Sequence, residues 1–256
     1  MIFTETNGLH ESPAQVSGEE RLGVTQRRAE FLNRIAHDLK SPLTTAMLMA
    51  DLIGLDDTDA EQRREYLEVL MQQLRREQEI LEQLLVATRV EVGEIMLDPR
   101  PLDFGAVVAK AIESVRESAQ AKNIDFGYEK PHQLPEVIGD FDFLSGAVSE
   151  VLGNAVFFTP GEGRIQISWV VSDEEVAVVI RDTGPGFDPE NLEFLFEPYF
   201  QGAGPSLAHS GRPGLGLFVV RRVLEGLGGR ILAKSVPQGG AQFEMYLPVT
   251  CSKTES

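Results

Sequence analysis

The sequence has only one cysteine and a deficit of basic residues, and each shortage excludes a class of protein. Cys251 has no second cysteine with which to form an internal disulfide. Such chains are typical of reducing compartments, so we expect a cytoplasmic location. The 23 Lys and Arg residues against 40 Asp and Glu give a formal charge of −17. This charge repels nucleic-acid phosphates and argues against a nucleic-acid-binding function.

Long apolar runs are also missing from the sequence. No stretch approaches the ~20 apolar residues that are needed to cross a bilayer, so we expect no membrane span. Residues 1–20 have neither a basic end nor an apolar stretch, and they do not resemble an export signal. They are polar and rich in Gly, Ser and Glu, which predicts a flexible leader. An external signal would then have to arrive through a separate sensory partner protein.

Residues 21–93 form the first of two segments whose patterns predict ordered structure. Apolar residues recur there every three or four positions, which predicts two amphipathic helices. The linking sequence GLDDTDA allows Gly54 to end the first helix and Thr58 or Asp59 to cap the second. A two-helix hairpin buries little apolar surface alone, whereas two copies packed together form a four-helix bundle. We therefore expect a homodimer.

Residues 101–250 form the second segment, which follows a proline-containing boundary at residues 93–101. Helical patterns there alternate with strand patterns. Two of the strand patterns, RIQISWVV and EVAVVIRD, are joined by the short polar turn SDE and predict a hairpin. Strands that are joined by such tight turns cannot be parallel. The segment is therefore predicted to be an α/β domain with a mixed or antiparallel sheet, and the whole chain has the α+β fold class.

Two glycine-containing turns in the second segment are candidates for a nucleotide site. Asp182 follows a predicted strand directly, with Gly184 and Gly186 in the turn behind it. Gly214 and Gly216 stand at the predicted start of a later helix, where free N–H groups suit a phosphate chain. Either segment alone is more often only a turn, but their order and context favour a site.

A helix predicted upstream of these turns carries two oxygen-bearing side chains. Glu150 and Asn154 are four residues apart, which places them on one face of the helix. Mg²⁺ takes oxygen ligands and completes its shell from water and phosphate, so the pair is a candidate Mg²⁺ site. The alternative is a solvated helix face that binds nothing.

Five short motifs follow one another in an order that resembles a known family. HDLKSPL, EVLGNAVFFTP, DTGPGF, FEPYF and GLGL resemble the H, N, first glycine, F and second glycine boxes of sensor histidine kinases. The resemblance covers nearly everything from Arg21 to Pro248. It implies that the hairpin is a dimerisation and phosphoacceptor domain, followed by an α/β sandwich of the Bergerat ATP-binding type. It also implies ATP and Mg²⁺ as cofactors and a response-regulator receiver domain as partner.

The resemblance implies a role for each candidate residue of the ATP-binding domain. Asp182 would accept a hydrogen bond from the adenine amino group, and Phe158 would lie against the adenine. Asn154 would bind the Mg²⁺ that bridges the phosphates, with Glu150 as a second ligand where many members have an amide. The backbone and the lid segment, QGAGPSLAHSGRP, would close over the nucleotide at four glycines, Gly184, Gly186, Gly214 and Gly216.

Two residues depart from the family pattern. Phe157 stands three residues after Asn154, where a Lys or Arg is usual, so a cation expected near the phosphates is missing. Arg212 occupies a usual glycine position of the second glycine box, and we hypothesise that it supplies the missing charge to the nucleotide. The competing interpretation is that Phe157 packs as an apolar residue, in which case a lysine there would destabilise the domain.

The HDLKSPL segment supplies the candidate phosphoacceptor, His37. An unperturbed histidine, with a pKa of ~6.5, is mostly neutral at cytoplasmic pH and therefore nucleophilic. Asp38 can accept the proton of the other ring nitrogen and hold one tautomer. Pro42 cannot donate to the Asp38 carbonyl, which predicts a bend one turn past the acceptor. Ser41 stands where related kinases position water for dephosphorylation of the regulator, so phosphatase activity is a further expectation.

The patterns predict a homodimer, and the resemblance implies a kinase that phosphorylates His37 from ATP and passes the phosphoryl group to a response-regulator aspartate. One alternative is a degenerate kinase that acts as a nucleotide-responsive scaffold, because Phe157 and Arg212 depart from the pattern. Another is a serine kinase of the anti-sigma type, which shares the ATP-binding domain but lacks the phosphoacceptor hairpin.

Overall fold

The computed structural model describes most of both predicted segments. The described residues are 36, 39–55, 58–91, 96–129, 131, 133–198, 200, 214–236 and 239–250. The helices are α1 (residues 39–53), α2 (Ala60–Glu91), α3 (Phe104–Ala121), α4 (Phe141–Phe158) and α5 (Gly216–Gly226). The strands are β1 (Arg100–Leu102), β2 (Asp125–Tyr128), β3 (Val137–Gly139), β4 (Arg164–Val171), β5 (Glu175–Asp182), β6 (Arg230–Ser235) and β7 (Ala241–Pro248). A short 3₁₀ helix covers Pro189–Phe194.

The helical hairpin consists of α1 and α2, and its turn settles which residue caps α2. The Asp59 carboxylate accepts hydrogen bonds from the backbone N–H groups of Glu61 and Gln62, both at 2.9 Å. The Gln62 side chain accepts in return from the backbone N–H of Asp59 at 3.2 Å, which completes a capping box. Thr58 instead donates its hydroxyl to the Leu52 carbonyl at 2.7 Å. Asp59 is therefore the N-cap.

Pro42 lies within α1 and is buried, and the helix continues through it to residue 53. The bend predicted at this proline depends on the carbonyl of Asp38, which lies outside the described residues. That bend therefore stays a prediction.

The second segment is built on a five-stranded sheet with the order β2-β4-β5-β7-β6. β2 pairs with β4 in parallel, and the other neighbours pair antiparallel. The sheet is therefore mixed, and the predicted α+β class is confirmed. The predicted β4–β5 hairpin is present, and β6 and β7 form a second antiparallel hairpin. β1 and β3 form a separate antiparallel pair that the sequence did not predict, since each has only three residues.

The helices α3, α4 and α5 pack beside one another, and α4 and α5 contact the sheet. The core between them contains fully buried side chains, among them Phe104 of α3, Leu144 and Leu152 of α4, and Leu247 of β7. Among the described helices, α4 is the one that is long and apolar enough to cross a membrane. Eight of its residues are buried inside the domain, so its apolar composition is that of a core helix.

Asp140 joins the segment after α2 to the beginning of α4. One carboxylate oxygen caps α4 by accepting from the backbone N–H groups of Asp142 and Phe143, at 3.1 and 3.2 Å. The other oxygen accepts from the backbone N–H of Asp98 at 3.0 Å. One side chain therefore holds both the helix start and the incoming chain.

Replacement of Asp140 with alanine is expected to lower the free energy of unfolding by about 1–2 kcal/mol, because a helix cap is lost. Urea denaturation followed by circular dichroism measures this value. Asp125→Ala is the control, since Asp125 pairs with Arg164 on the surface and should cost no more than about 0.5 kcal/mol. Equal losses for the two variants would contradict the capping role.

Candidate nucleotide-binding site

Asp182 lies at the end of β5 and is the most enclosed carboxylate of the site. Only 3% of its surface is exposed. Its Oδ1 accepts from the backbone N–H of Gly184 at 2.7 Å and from that of Ala241 at 3.2 Å. Burial raises the pKa of Asp182, and these two hydrogen bonds act in the opposite direction. The arrangement fixes the carboxylate in an orientation that can present Oδ2 to a hydrogen-bond donor on a ligand.

Glycines surround this carboxylate because the backbone approaches it closely. A Cβ on Gly184 would lie 2.9 Å from Asp182 Oδ1 and 2.9 Å from the Phe158 carbonyl oxygen. Gly240 has a φ of +104°, and a Cβ there would overlap the Asp182 carbonyl. Side chains at either position would displace the backbone that holds Asp182. The predicted residues Asp182, Gly184 and Phe158 are thus brought together.

The start of α5 lies against α4 at Glu150. A Cβ on Gly216 would overlap the Glu150 carboxylate, so the Glu150 side chain occupies the space beside the start of α5 that the glycine leaves open. Gly214, with a φ of +69°, turns the chain into this helix. The N-cap is Leu215, whose side chain has no acceptor for the N–H groups of the first turn. The predicted residues Glu150, Gly214 and Gly216 therefore meet at a helix N-terminus that suits an anion.

Leu215 also connects the two domains. It is 1% exposed and packs with Leu39 of α1, Leu84 of α2 and Val219 of α5. Leu39 is two residues beyond His37 in the sequence. The N-terminal turn of α5 therefore lies against both helices of the hairpin, at Leu39 and Leu84.

Several predicted residues are not part of the geometry above. His37, Asp38 and Arg212 lie outside the described residues. Ser41 is exposed on α1. Gly186 has a φ of +75°, which favours glycine in the turn after Asp182.

The donor set fits a nucleotide with a bridging metal better than a metal bound by protein alone. Within the described part of the chain, no three His, Cys, Asp or Glu side chains cluster to hold a metal ion. Glu150 and Asn154 on α4 offer two side chains with oxygen atoms, so the remaining ligands of a Mg²⁺ ion would be water and phosphate.

Sequence reasoning missed two parts of this site. The Ala241 N–H donor comes from a strand 59 residues after Asp182. Lys122, from the end of α3, donates to backbone carbonyls at the end of α4. A signal for the first was the glycine pair at positions 239 and 240, which directly precedes Ala241. No motif marked the second.

Two segments of the chain match known families. Residues 27–93 match the His Kinase A (phospho-acceptor) domain, and residues 139–250 match the histidine kinase-, DNA gyrase B- and HSP90-like ATPases. The adaptive-response sensory kinase SasA of Synechocystis is 29% identical over 90% of this chain and 62% of its own length. The phosphate regulon sensor protein PhoR of Pseudomonas aeruginosa is 30% identical over 87% of this chain and 50% of its own length. The chain thus spans between 50% and 62% of these two curated relatives.

Solved structures show the same fold. The mycobacterial sensor histidine kinase MprB is 27% identical, with a TM-score of 0.51 over 59% of this chain and 98% of that one. Histidine kinase ThkA, in complex with response regulator protein TrrA, has a TM-score of 0.65 at 22% identity over 91% of this chain and 64% of that one. With a phosphoacceptor domain and an ATPase domain matched in this order, the chain belongs to the sensor histidine kinases of two-component systems.

Proposed function

We propose that the protein is an ATP-dependent protein-histidine kinase that phosphorylates itself on His37 and transfers the phosphoryl group to an aspartate of a response-regulator receiver domain. The observation that carries this proposal is the buried Asp182, held by Gly184 and Ala241 at the edge of a glycine-lined site. That site lies on the same chain as a matched phosphoacceptor domain. The packing of Leu215 on Leu39 and Leu84 adds a physical connection between the two.

Each residue has a chemical task in this proposal. Asp182 accepts from the adenine amino group and Phe158 lies against the ring, while the N-terminal turn of α5 binds phosphate through its N–H groups. A neutral nitrogen of His37 attacks the γ-phosphorus, and a P–N bond forms as the bond to the ADP oxygen breaks. Asp38 holds the proton of the other ring nitrogen and offsets the positive charge that develops.

The Mg²⁺ ion belongs to the same proposal. Asn154 and Glu150 would hold it from one face of α4, and it would supply positive charge to the phosphates during transfer. Because Glu150 touches the start of α5 at Gly216, the metal site and the phosphate site share one boundary.

The homodimer is proposed from the apolar face of the hairpin. Large apolar side chains on α1 and α2 are between 43% and 62% exposed, which is unusual for a folded helix pair. They include Leu43, Met47, Leu48, Leu67, Met71, Leu74, Leu81 and Leu85. A second copy of the hairpin would cover them in a four-helix bundle.

The double substitution Leu81→Glu with Leu85→Glu is expected to raise the dimer dissociation constant by at least about a hundredfold, because each carboxylate would be buried in the bundle. Size-exclusion chromatography with light scattering measures the mass of the eluted protein as a function of its concentration. Val170→Glu is the matched control, since Val170 is equally exposed at the end of β4, and it should leave the dimer intact. A dimer that survives the double substitution would contradict this interface.

Incubation with γ-labelled ATP tests the kinase activity. We expect the chain to become labelled. The label should be labile to acid and stable to alkali, and it should move to a receiver domain. No label under conditions where ATP binds would favour the scaffold, and label on a serine of another protein would favour the serine kinase.

The proposal further includes a cytoplasmic location, a separate sensory partner and a phosphatase activity that depends on the Ser41 hydroxyl.

A further inference from the structure

Lys122 follows α3 and reaches the C-terminal end of α4. Its Nζ donates to the backbone carbonyls of Val156 at 2.9 Å, Phe157 at 2.8 Å and Thr159 at 3.3 Å. The same ammonium lies 5.7 Å from the centre of the Phe157 ring. The last carbonyls of a helix have no partner within it, and a cation is favoured at that negative end. Lys122 therefore caps α4 from a neighbouring element.

The backbone of residue 122 is tied to the same region. Its N–H donates to the Ala119 carbonyl at the end of α3, and its carbonyl accepts from the N–H of Glu162 at 3.1 Å. Glu162 belongs to the turn between α4 and β4. Lys122 thus links the end of α3, the end of α4 and the turn that follows, which limits the freedom of its side chain.

The capped end of α4 is also the end that carries candidate nucleotide contacts. Phe158 is the last residue of α4, and Asn154 lies one turn before it. The Phe158 carbonyl abuts Gly184, in the turn that positions the Asp182 carboxylate. A movement of the last turn of α4 would therefore displace both Phe158 and the turn behind Asp182.

Phe157 has a part in this arrangement. Its ring packs edge to face on Phe158, with centroids 5.0 Å apart, and it lies beneath the Lys122 ammonium. A lysine at position 157 would bring a second ammonium close to the first, at a cost in like-charge repulsion. These contacts favour the apolar interpretation of Phe157 over a missing cation.

We propose that Lys122 is a positioning residue of the nucleotide site, which holds the last turn of α4 in place for adenine binding and depends on an aromatic residue at position 157. This inference rests on the proposed function. Lys122 binds backbone carbonyls at the end of α4, so it acts on the frame of the site and does not substitute for the cation that the family pattern places after Asn154.

Lys122→Met is expected to raise the dissociation constant for ATP with Mg²⁺ by about tenfold, because three carbonyls lose a charged donor. Calorimetry on the full chain, well below the melting temperature, measures it. Lys122→Arg keeps the cation and should stay within about threefold of wild type. Lys110→Met is the matched control, because Lys110 pairs with Asp142 and lies over Phe141 at the other end of α4. It should leave the affinity unchanged.

A second comparison uses the aromatic partner. Phe157→Lys should weaken ATP binding, and its combination with Lys122→Met should weaken binding less than the product of the two single effects, because the repulsion is gone. A folded Lys122→Met with wild-type affinity, or an equal loss in Lys110→Met, would overturn the proposal. Should Lys122→Met fail to fold, wild-type affinity in Phe157→Lys would overturn it. Failure of the wild-type chain to bind ATP would instead contradict the proposed function itself.

Discussion

Replacement of His37 with glutamine is expected to abolish self-phosphorylation, with the labelling rate reduced by at least about a thousandfold. Glutamine keeps a polar side chain of similar length, but its amide nitrogen is not nucleophilic and cannot form the P–N bond. The ATP site is built from a separate part of the chain, around Asp182 and Gly184. ATP affinity and dimerisation should therefore be unchanged, and calorimetry and light scattering measure them on the same preparation as the labelling rate.

His132→Gln is the matched control for this experiment. It also removes an imidazole, but His132 stands in no motif that resembles a phosphoacceptor. Its labelling rate should equal that of the wild type. Label that persists on the His37 variant, or that is lost only from the His132 variant, would contradict the assignment of the acceptor.

The parts of the fold that the sequence predicted are those whose information is local. The β4–β5 hairpin is encoded by two strand patterns and the short turn between them. The cap of α2 was narrowed to Thr58 or Asp59, and only the structure shows that Asp59 accepts from both N–H groups. β1 and β3 could not be predicted, because three residues are too few to show a period and their pairing joins Arg100 to Gly139.

In the candidate site, too, the sequence predicted the local features and missed the contacts between distant residues. Asp182, Gly184 and Gly216 were found because glycine spacing within a motif is visible along the chain. The N–H of Ala241 was not found, because Ala241 lies 59 residues after Asp182. The ammonium of Lys122 was not found either, because Lys122 lies between 34 and 37 residues before the carbonyls that it contacts. Lysine is common on protein surfaces, and its contacts with the three carbonyls and the Phe157 ring distinguish Lys122 from a solvated side chain.

Asp182→Asn is expected to weaken ATP binding by about a hundredfold, because a site that loses a matched acceptor leaves buried donors unpaired. The asparagine Oδ1 can still accept from the N–H groups of Gly184 and Ala241, so the local backbone should be retained. The second oxygen becomes an NH₂ group, which is a donor. Two donors would then face each other where the carboxylate is proposed to accept from the adenine amino group.

The stability of the same variant should change in the opposite sense. Burial raises the pKa of Asp182 above its unfolded-state value of ~3.9. A carboxyl with a raised pKa opposes folding at a pH above both values and has no such effect below both. At pH 7 the neutral amide removes this cost, so the melting temperature of Asp182→Asn should equal or exceed that of the wild type. The advantage should disappear as the pH falls below ~3.9.

Asp125→Asn separates this effect from a general loss of negative charge. Asp125 forms an exposed ion pair with Arg164 at 2.9 Å, and its replacement should alter neither ATP affinity nor melting temperature measurably. Calorimetry and thermal unfolding on both variants therefore distinguish the outcomes. Wild-type ATP affinity in Asp182→Asn would show that the Asp182 carboxylate does not accept from the adenine amino group. A melting temperature below that of the wild type at pH 7 would show that the charge on Asp182 does not oppose folding.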